Sequence, residues 1–157
     1  MTAVLSKTAT NESLKLAIQR AKDVCSANGV RFTQQRQLVY RLILSAEKPI
    51  GAYELLDAMK NEVSGVAPPT VYRALDFLLE QGLIHKLESL HAYIGCSDPD
   101  HAHNGQFLIC NRCGHAEEID DRNVAGSLEG AMQSHGFVGN HQVVEVMGRC
   151  ADCRSDD

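Results

Sequence analysis

Two Cys-x-x-Cys pairs, Cys110-Asn-Arg-Cys113 and Cys150-Ala-Asp-Cys153, constrain the folding of this chain more than any other feature. Four thiolates supplied as two tight pairs match a tetrahedral Zn²⁺ with Zn–S bonds of about 2.3 Å and no open position. The two-residue spacing lets one turn aim two sulfurs at one ion. Gly114, after the first pair, and Gly148, two residues before the second, relieve those turns. The 36 residues between the pairs are too many for a compact zinc ribbon, so the ion should pin together two ends of a small domain. Its binding energy is then part of the folding energy. A thioredoxin-type redox pair would stand alone after a strand rather than recur. Disulfides are disfavoured as well: Met1 to Thr10 holds one lysine and no apolar stretch of a secretory signal, so a reducing cytoplasm is the expected location. No apolar run approaches the ~18 residues of a membrane span.

Charge divides the chain in two. Residues 1–90 carry 11 Lys+Arg against 9 Asp+Glu, whereas residues 91–157 carry 4 against 11 and no lysine. The asymmetry predicts two modules with different partners, and only the first is suited to meet phosphate. Aromatic residues make up 5% of the chain and Trp is absent, so the cores must be aliphatic.

Residues 1–11 lack hydrophobic periodicity and read as a flexible arm. From Glu12, Leu14, Ala17/Ile18, Ala21 and Val24/Cys25 recur at helical spacing, and Asn28-Gly29 stops that helix. Cys25 on this stripe is a core residue. A second helix is expected from an N-cap at Thr33 to about Ala46, and a third over about 52–60. Val63–Pro69 reads as a linker whose Pro68-Pro69 forces an extended approach, with Thr70 capping a fourth helix, Val71 to Glu80. Leu83–Leu87 and Ala92–Cys96 read as strands around the turn Glu88–His91. Three helices, a capped helix and a β-hairpin make a winged helix-turn-helix. Ser97–Gly105 is a polar hinge. Gln106–Cys110 and His115–Ile119 form a hairpin through the cysteine turn, a helix spans about 120–135 with Val124, Leu128 and Met132 on one face, and His141–Met147 is a last strand. The expected fold is α+β: a winged-helix DNA-binding domain over 1–96, a hinge over 97–105 and a small α/β dimerisation domain over 106–157.

In a helix-turn-helix, residues near the start of the second helix reach base edges in the major groove. Thr70, Tyr72 and Arg73 fit that role. Arg31, Thr33, Gln34 and Arg36 are candidate phosphate contacts, with Lys86 on the wing. The nearly neutral first half implies few phosphate contacts per protomer, so two protomers on a pseudo-palindrome are expected.

Further ligand-type residues gather around the hinge: His85 and Cys96 on the wing strands, His101 and His103 in the connection, Glu118 after the first cysteine turn, and His141 before the last strand. One Cys, two His and one Glu would complete a closed N/S/O tetrahedron suited to Zn²⁺, and the thiolate disfavours Mn²⁺ or Fe²⁺. Either His101 or His103 can serve as the hinge ligand. A metal that binds only one arrangement of two domains stabilises that arrangement by its differential affinity. This is the chemistry of a sensor. A zinc hydrolase would need an open metal position, and a zinc-buffering or interaction module would need no DNA affinity.

The chain resembles the ferric uptake regulator family, and within it the zinc-sensing members. The resemblance rests on Arg31-Phe32-Thr33-Gln34-Gln35-Arg36, Pro68-Pro69-Thr70-Val71-Tyr72-Arg73-Ala74-Leu75-Asp76-Phe77-Leu78, Gly82-Leu83-Ile84-His85-Lys86, Tyr93-Ile94-Gly95-Cys96 and the two cysteine pairs. It implies a homodimeric, metal-dependent, non-enzymatic repressor of zinc-uptake genes that binds double-stranded operator DNA. A regulator sensing iron or another metal is the alternative within the family. The resemblance also implies a structural zinc on Cys110, Cys113, Cys150 and Cys153, and a regulatory zinc on His85, Cys96, His103 and Glu118. A third site common in the family finds only His101, Glu117 or Glu118, and His141 here, so two zincs per protomer are expected.

Overall fold

The computed structural model describes residues 9–100 and 104–155, which fall into two compact units, 9–100 and 104–155. In the first unit, α1 (Asn11–Ala27), α2 (Gln34–Ser45), β1 (Ile50–Gly51), α3 (Ala52–Lys60), α4 (Pro68–Glu80), β2 (Ile84–Leu87) and β3 (Ala92–Gly95) follow in that order. The threonines set two helix starts. Thr10 Oγ1 accepts from the Ser13 amide at 3.2 Å, and Thr33 Oγ1 accepts from the Arg36 amide at 3.4 Å. Thr10 as a cap shortens the expected N-terminal arm, whose residues 1–8 lie outside the described residues.

The start of α4 differs from the sequence expectation. Ala67 is the N-cap, Pro68 and Pro69 occupy the first turn, and Thr70 lies inside the helix with its amide donating to Ala67 O at 3.0 Å. Proline has no N–H to lose where the first-turn donors are unpaired anyway, and its fixed φ suits the first helical position. The two prolines thus open the helix and do not precede it. At the other end Gly82, with φ +67°, reverses the chain: its amide donates to Leu79 O and the Leu83 amide to Leu78 O, both at 3.0 Å. This paired closure needs a left-handed residue, which glycine supplies without a Cβ clash.

The core of the first unit is mostly aliphatic, with three buried aromatics, Tyr40, Phe77 and Tyr93. Val39, Tyr40, Leu55, Met59, Val71, Leu75, Leu78, Leu83 and Ile84 are buried together, and Ala21 and Cys25 come in from α1. Each large side chain so buried contributes about 1.5–3 kcal/mol relative to exposure. The sheet order is β1-β3-β2, all antiparallel, with Ile84 opposite Gly95 and Leu87 opposite Ala92. Strand β1 has only two residues, too few to show alternation in the sequence, and pairs Ile50 with Tyr93. Four helices with this three-stranded wing form the winged helix-turn-helix.

The second unit contains β4 (Gly105–Cys110), β5 (Ala116–Ile119), α5 (Arg122–Ser134), β6 (Val143–Gly148) and α6 (Ala151–Arg154). Its sheet order is β5-β4-β6, antiparallel between β4 and β5 and parallel between β4 and β6. A parallel pair requires a long crossover, which β5 and α5 provide. Gln106 is a buried polar residue whose amide clasps the turn into α5: Nε2 donates to Asp121 O and Oε1 accepts from the Asp121 amide, each at 3.0 Å. Asp121 then caps α5 by accepting from the Asn123 and Val124 amides. No residue of α5 is buried within its own unit. Among the described residues, no helix is long and apolar enough to cross a membrane.

Candidate metal centre and nucleic-acid interface

Strand register brings the two cysteine pairs together. Cys110 ends β4 directly opposite Gly148, which ends the parallel strand β6, and Cys150 follows two residues later. The Asn111 amide donates to Gly148 O at 2.8 Å across that seam. The first turn is closed by Gly114 N–H donating to Cys110 O at 2.9 Å, with Gly114 at φ +76°, and by Cys110 N–H donating to His115 O at 2.8 Å. Cys150 is the N-cap of α6, so the short helix carries Cys153 back toward the same point, and Arg112 donates to Cys153 O at 3.1 Å.

The four sulfurs lie within 4.8 Å of one another. Cys113 Sγ and Cys150 Sγ are 3.8 Å apart. A disulfide needs about 2.05 Å, whereas the edge of a tetrahedron with Zn–S bonds of about 2.3 Å is about 3.8 Å. The residues present therefore fit Zn²⁺. Their acidities show what the cation would relieve. The Cys110 thiol is pushed down to about 5 by the backbone N–H of Cys113 and then that of Cys150, so this sulfur is set up as a thiolate. The Cys153 thiol is pushed up to about 12 by its hydrogen bond with Cys150 and by burial. Four crowded sulfurs do not all ionise alone, and a divalent cation supplies the missing charge.

A second ligand pair lies on the wing. His85 of β2 is opposite Ile94 of β3, and the Cys96 amide extends the ladder by donating to Leu83 O at 3.0 Å. A ring nitrogen of His85 and the Cys96 sulfur lie within 4.8 Å of each other, and Cys96 is buried. Glu118 is half-buried on β5, opposite Phe107. His101 and His103 lie outside the described residues. Glu117 is on β5 opposite Leu108, His141 is exposed just before β6, and neither belongs to a metal-ligand cluster among the described residues.

The candidate DNA contacts sort into two kinds. Tyr72 and Arg73 are exposed on the first turns of α4 while Val71, Ala74 and Leu75 are buried, so α4 shows an open polar face near its start. Thr70 is half-buried there, and Arg31, Thr33 and Gln34 are exposed at the start of α2. Lys86 pairs with Glu88 at 3.3 Å on the wing. Arg36 differs from the others: it donates to Arg31 O and its guanidinium stacks on Phe77, 3.7 Å from the ring centroid. It is thereby engaged inside the unit, a role that only the folded chain reveals. Sequence reading also missed Tyr53. It is 75% exposed at the start of α3 and shares an open groove with Tyr72, Lys86, His91 and Tyr93. An exposed aromatic at a helix start, beside a glycine N-cap, is the signal that could have found it.

A family model described as the ferric uptake regulator family matches residues 27–147. The zinc uptake regulation protein of Escherichia coli (strain K12) is 40% identical over 150 residues, covering 95% of this chain and 85% of that protein. Among solved structures, a zinc uptake regulator complexed with zinc and DNA superposes with a TM-score of 0.88 at 38% identity, over 91% of this chain and 96% of that one. The crystal structure of holo XcZur superposes with a TM-score of 0.83 at 44% identity, over 90% and 99% of the two chains.

Proposed function

This chain belongs to the ferric uptake regulator family, and from that premise we propose that it is a dimeric, zinc-responsive repressor of zinc-uptake genes. DNA binding is assigned to residues 1–96, the hinge to 97–105 and dimerisation to 106–157. Tyr72 and Arg73 read base edges, with Thr70 beside them. Arg31, Thr33, Gln34 and Lys86 meet the phosphate backbone, with Arg36 bracing the start of α2. Tyr53 joins this surface. The structural zinc is held by Cys110, Cys113, Cys150 and Cys153, and the regulatory zinc by His85, Cys96, His103 and Glu118. The protein acts in the cytoplasm and is not an enzyme, since both zinc sites are filled by protein ligands.

The observation that carries this reading is the pairing of His85 with Cys96 on the wing of the DNA-binding unit, separate from a cysteine cluster that already completes a zinc tetrahedron. A metal site that served folding alone would have no reason to recur on the wing. Similarity to a zinc uptake regulator solved with zinc and DNA supports the same reading. Zinc supplies the cross-link that favours the DNA-binding arrangement of the dimer; without it that arrangement loses its stabilisation. The apolar residues that the second unit leaves exposed, Leu108, Leu128, Phe137 and Val146 among them, support dimerisation through residues 106–157.

The test is a gel shift on operator-like DNA across a free-zinc titration, with zinc content measured in parallel. Two zincs per protomer and DNA binding that appears as the second is filled are expected. Binding that is indifferent to zinc, or absent at saturating zinc, would overturn the proposal.

A further inference from the structure

Beyond Cys96 the chain is anchored to α1. Arg20 reaches Asp100 Oδ2 with both Nε, at 3.2 Å, and Nη2, at 2.5 Å, and its Nη2 also lies 3.7 Å from Asp98 Oδ1. One guanidinium thus grips two carboxylates two and four residues after the thiol assigned to sensing. Two donors of one planar group converge on a single carboxylate oxygen, Asp100 Oδ2, which fixes where that oxygen lies relative to α1. All three side chains are about half exposed, so the contact adds little to the stability of the unit. An ion pair that contributes little to the fold, yet bridges a gap of 80 residues in the sequence to one short segment, has its main effect on where that segment lies.

The surroundings connect this grip to Cys96. The Tyr40 hydroxyl is pushed up to about 12, chiefly by burial, and it feels both Cys96, which raises it further, and Arg20, which lowers it. The thiol and the guanidinium thus both act electrostatically on one buried hydroxyl. Cys96 itself is held from one side by its amide bond to Leu83 O. Its other side leads directly into the segment that Arg20 secures.

We propose that Arg20 is a positioning residue for zinc sensing, fixing through Asp98 and Asp100 the segment that leaves Cys96 so that the regulatory ligand set is preorganised. The inference rests on the assignment of Cys96 to the regulatory zinc. Loss of the grip lets the segment wander, and zinc must then order it on binding, which lowers affinity without altering a ligand.

The experiment uses the full-length, two-zinc protein and competes the weaker zinc away with a chelator of known affinity, in the absence of DNA. Arg20→Ala and Asp100→Asn should each weaken that zinc about two- to fivefold, the range of exposed ion pairs. The zinc on the four paired cysteines should stay bound, as should operator affinity at saturating zinc. Arg20→Lys should retain part of the effect, and the charge-swapped double variant Arg20→Asp/Asp100→Arg should recover it. Because exposed ion pairs are screened, the gap between wild type and Arg20→Ala should close as NaCl rises from about 0.05 to 0.5 M. Equal zinc affinity in wild type and Arg20→Ala at low salt would overturn the proposal. So would a deficit that salt leaves unchanged, which would mark packing by the arginine stem. A wild-type protein that binds only the cysteine-cluster zinc would sink the sensing assignment itself, and would do so by stoichiometry before any variant is made.

Discussion

Cys96 and Cys113 have the same side chain, but loss of each should break a different property. Cys113 lies within 4.8 Å of three other sulfurs, in a cluster suited to Zn²⁺ that ties the end of β4 to the end of β6. Cys113→Ser should release that zinc and lower the melting temperature sharply, because metal binding at such a site is folding energy. Cys96→Ser should keep a folded dimer and the cluster zinc, and lose zinc-dependent DNA binding. Zinc content, thermal melts and gel shifts on the two variants distinguish the outcomes; an unfolded Cys96→Ser protein would make that thiol structural. Tyr40 gives a residue-scale prediction of another kind. Its folded pKa of about 12 exceeds the ordinary value of 10.0, mainly because burial disfavours the phenolate. The folded state therefore keeps a proton that the unfolded chain sheds. The associated stability is fully present below pH 10 and is lost as pH rises toward 12, by about 3 kcal/mol over two units. Urea midpoints across that window should fall less in Tyr40→Phe than in wild type.

At the scale of elements, Gln106 sets where α5 begins. Its amide satisfies both backbone groups of Asp121, and Asp121 in turn caps the helix. Gln106→Leu keeps the volume and orphans those groups, which should cost about 1–3 kcal/mol. Chemical denaturation of the zinc-loaded protein measures it; a loss below about 0.5 kcal/mol would mean that water takes over the bonds. Gln106 also shows what the sequence could not convey. A glutamine between Gly105 and Phe107 in a strand looks like an outward polar position, and only its partner 15 residues away makes it an inward one. Arg36 is a parallel case: its place beside Arg31 and Gln34 suggested phosphate, but Phe77 of α4 captures it. Legible elements were those whose signal is local. Thr33 is a cap, Gly82 is a stop, and the Cys-x-x-Cys turns need nothing beyond their own spacing. Pro68-Pro69 misled because proline can end or open a helix, and the choice depends on Ala67 having extended backbone. Strand β1 was invisible because two residues carry no period.

For the whole molecule, the apolar residues that neither unit buries decide the assembly. Strand register puts Leu108 of β4 beside Val146 of β6 on one face of the second sheet, and the two are 42% and 53% exposed. Along α5, Val124, Leu128 and Met132 form a stripe with no buried member, and Phe137, just beyond the helix, is 65% exposed. A small unit that leaves this many large apolar side chains exposed is a candidate for association. A stable homodimer interface, which commonly buries about 2,000 Å² or more, would cover them. Leu108→Asp combined with Val146→Asp should therefore give a folded, zinc-loaded monomer, because each side chain leaves about half of its surface outside its own unit. Introducing two carboxylates into a dry interface leaves them without partners, at a cost of several kcal/mol per dimer. Sedimentation should show the monomer mass, and operator affinity should fall far more than the loss of any one contact predicts. A dimer whose protomers engage two half-sites gains from effective concentration, and a monomer forfeits that gain entirely. A double variant that remained dimeric at micromolar concentration would move the interface elsewhere, with α5 and Phe137 as the next surface to test.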